Sequence, residues 1–434
     1  MAVAYLAMNT SPAISAAASS CIAGMACEQV SSVIETVAWP SAARERPSNE
    51  PRSSTGGRTD TGLDWRSSGI EGKCDRSGRS SVTTSTRTLA STLRGVVSVD
   101  HFALDDQIAS QAGAVRDVLD SLDVPQLDPG RPLVFTGIGT SLHACKIACY
   151  WAAELSAGRI RPTAVEAHEY ALRGTIGAAD QIVVVSHRGT KRFPVQVLDR
   201  AQVAGAATIA VTGRGAAHPG GDIVVRTCAD ERARTHTVSY TTALAVLARL
   251  VAGLVGSPAA ARFEAAVSKV PSAMAETLAQ PTPVAVLPLL TNKEPILLTG
   301  FGIDAVTMSE AALKIKEGAY LWAEAMSIEL ALHGTPAVFE PRHAAIVAVP
   351  DEDDGGRTAA FLGMLQELHI RAILLGTGDH DLPFAKVEYL LRPFVSIIPL
   401  QRLVAELARR RGTNPDTTRT DVEPYKSAIG RVRL

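Results

Sequence analysis

A chain of 434 residues, 46% hydrophobic and 20% charged, holds enough apolar material for two or three ordinary domains and is too apolar to be disordered throughout. Its formal net charge of -1 gives no bulk attraction to nucleic acid or to an anionic membrane surface. No apolar run reads as a bilayer span, and aromatic residues, at 5%, are too sparse for a stacking platform.

Residues 1–98 are rich in Ser, Arg and Ala and poor in large apolar side chains. Such a segment cannot bury enough surface to offset its ordering entropy, so a disordered extension is expected. No basic stretch precedes Cys21, which argues against a secretory signal. The six cysteines form no CxxC pair and no disulfide framework, pointing to a reducing cytoplasm. Cys145 and Cys149 share a helix face but lack further ligands, and are read as packing residues.

Order is expected from about residue 99. Apolar spacing over 102–122 predicts a lead-in helix. A strand over 132–135 runs into Gly137-Ile138-Gly139-Thr140-Ser141 and a helix over 142–155. Further strands are expected at 181–186, 208–212 and 222–226. A helical linker, 258–290, opens on Pro258, whose missing N–H costs nothing in a first turn. A second round then begins: a strand at 295–299, the turn Gly300-Phe301-Gly302, a helix over 307–320, strands at 344–349, 371–375 and 388–391, and a last helix over 400–410. Strands alternating with helices and apolar on both faces predict an α/β protein with parallel, doubly wound sheets. Two strand–glycine turn–helix openings about 160 residues apart indicate an internal duplication. The expected domains are therefore 99–257 and 291–434.

The first glycine turn opens a helix, where backbone N–H groups suit an anionic oxygen and Ser141 adds a hydroxyl. Leu142 stands where a dinucleotide fingerprint needs its third glycine, so NAD is not expected. Ser186-His187-Arg188-Gly189-Thr190-Lys191 ends a neighbouring strand, the place where a doubly wound sheet forms its ligand crevice. On the helix of the second round, Glu310, Lys314 and Glu317 fall at i, i+4 and i+7 on one face. Alone, that pattern is a solvated face with paired charges; its position in a strand–turn–helix unit, followed by Glu324, Glu329 and His333-Gly334, favours a site.

These motifs together resemble the sugar isomerase (SIS) family, specifically the isomerase part of glucosamine-6-phosphate synthase and related amino-sugar-phosphate deaminases. Gly139-Thr140-Ser141 is similar to the family's first phosphate loop, and Ser186 to Lys191 stands in place of its second. Glu310-Ala311-Ala312-Leu313-Lys314-Ile315-Lys316-Glu317 is similar to its catalytic helix. Ala323-Glu324-Ala325, His333-Gly334, Ile398-Pro399-Leu400-Gln401, the segment from Arg411 to Asp416, and Lys426-Ser427 follow in family order. The resemblance covers about three quarters of the chain.

It implies two tandem flavodoxin-like SIS domains with helices on both faces of each sheet. It further implies an enzyme for a hexose or aminohexose 6-phosphate, acting as aldose–ketose isomerase, aminotransferase or deaminase without metal or other cofactor. Gly139, Thr140, Ser141, Ser186, His187, Arg188, Gly189, Thr190 and Lys191 would hold the phosphate. Glu317 would move a proton between C1 and C2, with Lys314 and Glu310 tuning it. Lys426 would engage the C2 carbonyl, and His333 would assist ring opening from the partner subunit of a homodimer with shared active sites.

Several positions depart from the family pattern. Arg188 replaces the loop's second serine, Thr190 its acidic residue and Lys191 its last threonine. His236-Thr237-Val238 lacks the family's lysine. The loop at 350–354 is acidic, which fits one phosphate site per chain. Ala2 stands where a glutaminase half would present its nucleophilic cysteine, so no glutamine hydrolysis is expected and ammonia would come from a separate subunit. The rival expectation is a non-catalytic phosphosugar sensor.

Overall fold

The computed structural model describes residues 101–432, and the expected disordered extension lies outside them. Helix α1 (Ala103–Ser121) buries Leu104, Ile108, Val115 and Val118 along one stripe. Its first amides are capped from far along the chain, because the Asp416 carboxylate accepts from the N–H groups of Ala103 and Leu104 at 2.8 and 3.0 Å.

The first sheet comprises β1 (Leu133–Gly137), β2 (Thr163–Glu166), β3 (Gln181–Val185), β4 (Ala207–Thr212) and β5 (Ile223–Arg226). It is parallel throughout in the order β2-β1-β3-β4-β5. Its helices are α2 (Thr140–Leu155), α3 (Ala167–Arg173), α4 (Arg192–Ala204) and α5 (Val238–Val255). Three helices then cross to the second module: α6 (Pro258–Val267), capped by the Ser257 hydroxyl, α7 (Val270–Leu278) and the single turn α8 (Leu287–Leu290).

The second sheet holds β6 (Ile296–Gly300), β7 (Ala323–Ser327), β8 (Ala344–Ala348), β9 (Ala372–Thr377) and β10 (Leu382–Phe384). Its order, β7-β6-β8-β9-β10, is the same winding as the first, again all parallel. With it go α9 (Ile303–Lys314), α10 (Ile328–Leu332), α11 (Arg357–Glu367), α12 (Arg392–Arg411) and the short α13 (Tyr425–Gly430). The duplication extends to single dihedrals: Gly139 and Gly302, each just before a helix, have φ/ψ of 53/-121° and 55/-123°.

Every residue of β3, β6 and β8 is buried, as expected of central strands covered on both sides. One face of each sheet joins a single continuous core that includes α1, α2, α5, α9 and α12. The opposite faces pack privately, around Tyr170 and Val197 in the first module and around Phe361 and Ile328 in the second.

Some expectations are corrected. Residues 388–391 are a 3-10 turn, Tyr389–Leu391, leading into α12, not a strand. Helix α12 begins at Arg392 and runs through Pro399, eight residues before the expected start. The expected helix over 307–320 begins at Ile303 and ends in a π turn, Ile315–Ala319. Among the described residues, α5 is long and apolar enough to cross a membrane, contrary to the sequence reading, but 89% of that window is buried in the core.

Candidate active site

In this strand order the chain leaves β1 and β3 toward opposite faces, opening a crevice beyond their C-terminal ends. A cavity of about 410 Å³ lies there, lined by Gly139, Thr140 and Ser141 after β1 and by Ser186, His187, Arg188 and Lys191 after β3. The tight turn at β1 depends on glycine. A Cβ on Gly137 would stand 2.8 Å from Ser141 Cβ and 2.9 Å from its carbonyl carbon, too close for α2 to start where it does. Gly189, at φ +65°, folds the β3 loop back so that a Cβ would meet the Ala217 carbonyl oxygen at 2.8 Å.

The second module supplies the far wall, with Leu313 and Glu317 lining the same cavity. Glu317 ends a chain of buried polar contacts. The Glu310 carboxylate accepts from the Thr140 hydroxyl at 3.0 Å and pairs with His143 Nδ1 at 2.7 Å, tying α9 to the start of α2. Lys314 Nζ lies 3.4 Å from Glu310 and 2.6 Å from Glu317. Burial works against the Lys314 charge, but the two carboxylates outweigh it and hold the ammonium above the usual lysine range. Burial likewise opposes ionisation of Glu310, and Lys314, His143 and Thr140 overcome it.

The start of α5 closes the remaining side through Arg234, His236, Ser239 and Tyr240. Glu231 organises it. Its carboxylate accepts from the amides of Thr237, Val238 and Ser239 at 2.9, 3.0 and 2.8 Å and from Gln107 Nε2 at 2.7 Å. Despite burial, His236 and these amides keep its pKa down at about 2. His187, Glu231 and His236 bring ligand-type atoms within 4.8 Å of one another, a grouping of metal-ligand type that the sequence reading did not contain. Both Glu231 oxygens are already saturated by helix amides and side chains, so the donor set fits a helix cap better than a metal. The His187 imidazole is pushed below its usual value, chiefly by burial. The hydroxyl of Tyr240 is buried without a hydrogen-bond partner among the described residues.

Of the residues named from sequence, Gly139, Thr140, Ser141, Ser186, His187, Arg188, Lys191 and Glu317 line the cavity, and Glu310 and Lys314 stand directly behind it. Gly189 and Thr190 do not line it; the first shapes the loop and the second is exposed. His333 is 73% exposed and pairs with Glu329 at 2.8 Å, outside the cavity lining. Lys426 is exposed on α13 and also outside it; from the C-terminal tail Thr418 reaches the wall instead. Sequence reasoning missed Arg234, Ser239, Tyr240 and Glu231. The available signal was an acidic residue a few positions ahead of the apolar run of α5, the pattern of a helix cap.

The equivalent crevice of the second module is also open, about 880 Å³, but its walls are acidic, with Glu352, Glu388 and Glu329 beside Gly302 and Tyr389. The Tyr389 hydroxyl accepts from the Ile303 amide at 2.8 Å, so this helix-start N–H is already taken. Asp351, in the acidic loop after β8, is bound by Arg392 at 2.6 Å.

The chain matches no protein-family model. It is 27% identical over 351 residues to glutamine–fructose-6-phosphate aminotransferase (isomerizing) of Pyrococcus horikoshii, covering 74% of this chain and 56% of the relative. It is 29% identical over 355 residues to the Streptomyces coelicolor protein of the same name, covering 72% and 57%. The chain thus spans little more than half the length of these relatives. In fold it is similar to the C-terminal domain of glucosamine-fructose-6-phosphate aminotransferase from Francisella tularensis, with a TM-score of 0.67 at 21% identity over 73% of this chain and 98% of that one. Glucosamine-6-phosphate deaminase from Thermotoga maritima gives 0.60 at 20% identity, covering 73% and 97%. The resemblance to the isomerase part of the synthase, and the tandem SIS fold, are thereby established.

Proposed function

We propose that this chain, a relative of the isomerase part of glutamine–fructose-6-phosphate aminotransferase, is an enzyme acting at C1 and C2 of a hexose or aminohexose phosphate. The observation that carries this reading is the position of Glu317. Its carboxylate opens into the same cavity as the hydroxyls of Ser141 and Ser186. An open-chain sugar anchored by its phosphate on those loops would extend its carbon skeleton toward the carboxylate. Glu317 would then remove a proton from C2 of the aldose, giving an enediolate, and return it to C1 as the C2 hydroxyl proton passes to the C1 oxygen, forming the ketose. Lys314, 2.6 Å away, holds the carboxylate in place. Exchange of nitrogen at C2 is the natural companion of this step, as deamination or as amination with ammonia delivered from elsewhere.

His333, exposed and outside the lining of its own chain's cavity, would serve that of a second copy in a homodimer, assisting ring opening. The decisive measurement pairs two variants against a panel of phosphosugars. Glu317→Gln is expected to lower turnover by about a hundred- to ten-thousandfold with binding retained, whereas Ser186→Ala weakens binding. Binding without turnover in the unaltered protein would instead support a phosphosugar sensor.

A further inference from the structure

The cavity carries more positive charge than one phosphate requires. Arg188, Lys191 and Arg234 all line it. Among the described residues none of the three forms an ion pair. The nearby carboxylates have other partners: Glu317, which shares the cavity wall, pairs with Lys314 at 2.6 Å, Glu231 with His236 at 3.2 Å, and Asp230 approaches His187 at 3.6 Å. Arg188 Nε is buried with no hydrogen-bond partner. Like charges gathered in a partly dry cavity repel one another. Burial first, then Arg188 and Arg234, hold the Lys191 ammonium below its ordinary value. A phosphate monoester brings a charge of roughly -1.5 to -2 at neutral pH, leaving about one cation unanswered. Ser186 is buried, Arg188 and Lys191 are half-buried, and Arg234 is exposed, so the surplus lies toward the mouth.

We propose that the sugar phosphate taken by this cavity carries a second acidic group, a carboxylate or a second phosphate, at the end remote from its first phosphate, and that Arg234 holds it. The proposal rests on the phosphosugar reading above and narrows its substrate class. A guanidinium suits this task because its planar fork pairs with either anion through two parallel hydrogen bonds. A plain hexose 6-phosphate offers Arg234 only hydroxyls. The class implied is therefore a sugar-acid phosphate, a sugar bisphosphate, or a sugar phosphate joined to an acid.

The test uses the full chain and three unreactive open-chain ligands in titration calorimetry: glucitol 6-phosphate, 6-phosphogluconate and glucitol 1,6-bisphosphate. At least one of the two doubly acidic ligands is expected to bind on the order of tenfold more tightly than glucitol 6-phosphate. Which one does so distinguishes carboxylate from phosphate. Arg234→Gln should erase that preference and leave glucitol 6-phosphate within about threefold of its original affinity, and Arg234→Lys should restore part of it. Equal affinities in the unaltered protein, or a uniform loss for all three ligands in Arg234→Gln, would overturn the proposal. Failure of all three to bind would overturn the phosphosugar reading, and this inference with it.

Discussion

Glu231 shows how much one side chain can hold in place. It gathers the amides that begin α5, and α5 in turn carries Ser239 and Tyr240 into the cavity wall. Its pKa stands at about 2 against an ordinary 4.5. A depressed carboxylate of this kind stabilises the fold fully above pH 4.5, and the contribution is lost as pH falls toward 2. The shift corresponds to a stabilisation on the order of 3 kcal/mol. Glu231→Gln should therefore lower unfolding free energy at neutral pH by roughly that amount and flatten the loss of stability in acid. Urea unfolding at a series of pH values measures both, and an unchanged acid limb would count against the assignment. The residue was hard to find in sequence because Asp230-Glu231-Arg232 looks like a solvated charged loop. Glu310, Lys314 and Glu317 were easier, since helical spacing alone puts them on one face.

At the scale of elements, the π turn after α9 determines where Glu317 points. Its extra residue per turn breaks the α-helical register just where the carboxylate leaves the helix. Its carbonyls are answered from outside: the Thr413 hydroxyl donates to Gly318 O at 2.7 Å and Arg411 Nε to Ala319 O at 2.9 Å. A Cβ at Gly318 would lie 2.4 Å from Val404 Cγ1 and 3.3 Å from Pro415 Cβ. Gly318→Ala should thus cost about 1–3 kcal/mol through overpacking against α12. It should also lower kcat more than substrate affinity, because the loops at Ser141 and Ser186 are untouched while Glu317 shifts. Steady-state kinetics beside thermal unfolding separates the two effects; a normal kcat in a destabilised variant would exclude a positioning role for the turn. The central strands were legible as continuous apolar runs, as were the glycine turns. Strands β2, β7 and β10 were not. The first two are edge strands with mixed exposure, and β10 is three residues around Pro383, a residue that argues against a strand except at an edge. The start of α12 was misplaced because Pro399 looks like a helix breaker, and only its packing in the core shows that the helix passes through it.

On the scale of the whole molecule, the two modules share one interior and one cavity. Asp416 caps α1, Arg409 pairs with Asp105 at 2.9 Å, and Gln111 Nε2 donates to Gln401 at 2.7 Å, so the end of the described chain is fastened to its beginning. Should the proposed homodimer form with His333 reaching across it, mixing Glu317→Gln subunits with His333→Ala subunits should recover about a quarter of normal turnover, since half the dimers would be mixed and each would hold one intact site. No recovery on mixing, with both parents inactive, would place His333 outside the reaction. The cavity takes its wall hydroxyls from the first copy of the duplicated unit and its carboxylate from the second, while in the second copy Tyr389 occupies the corresponding turn amide. A half-length forerunner would consequently have owned neither a complete pocket nor a private interior. Only against a second copy of itself could such a unit cover its shared face and complete a pocket.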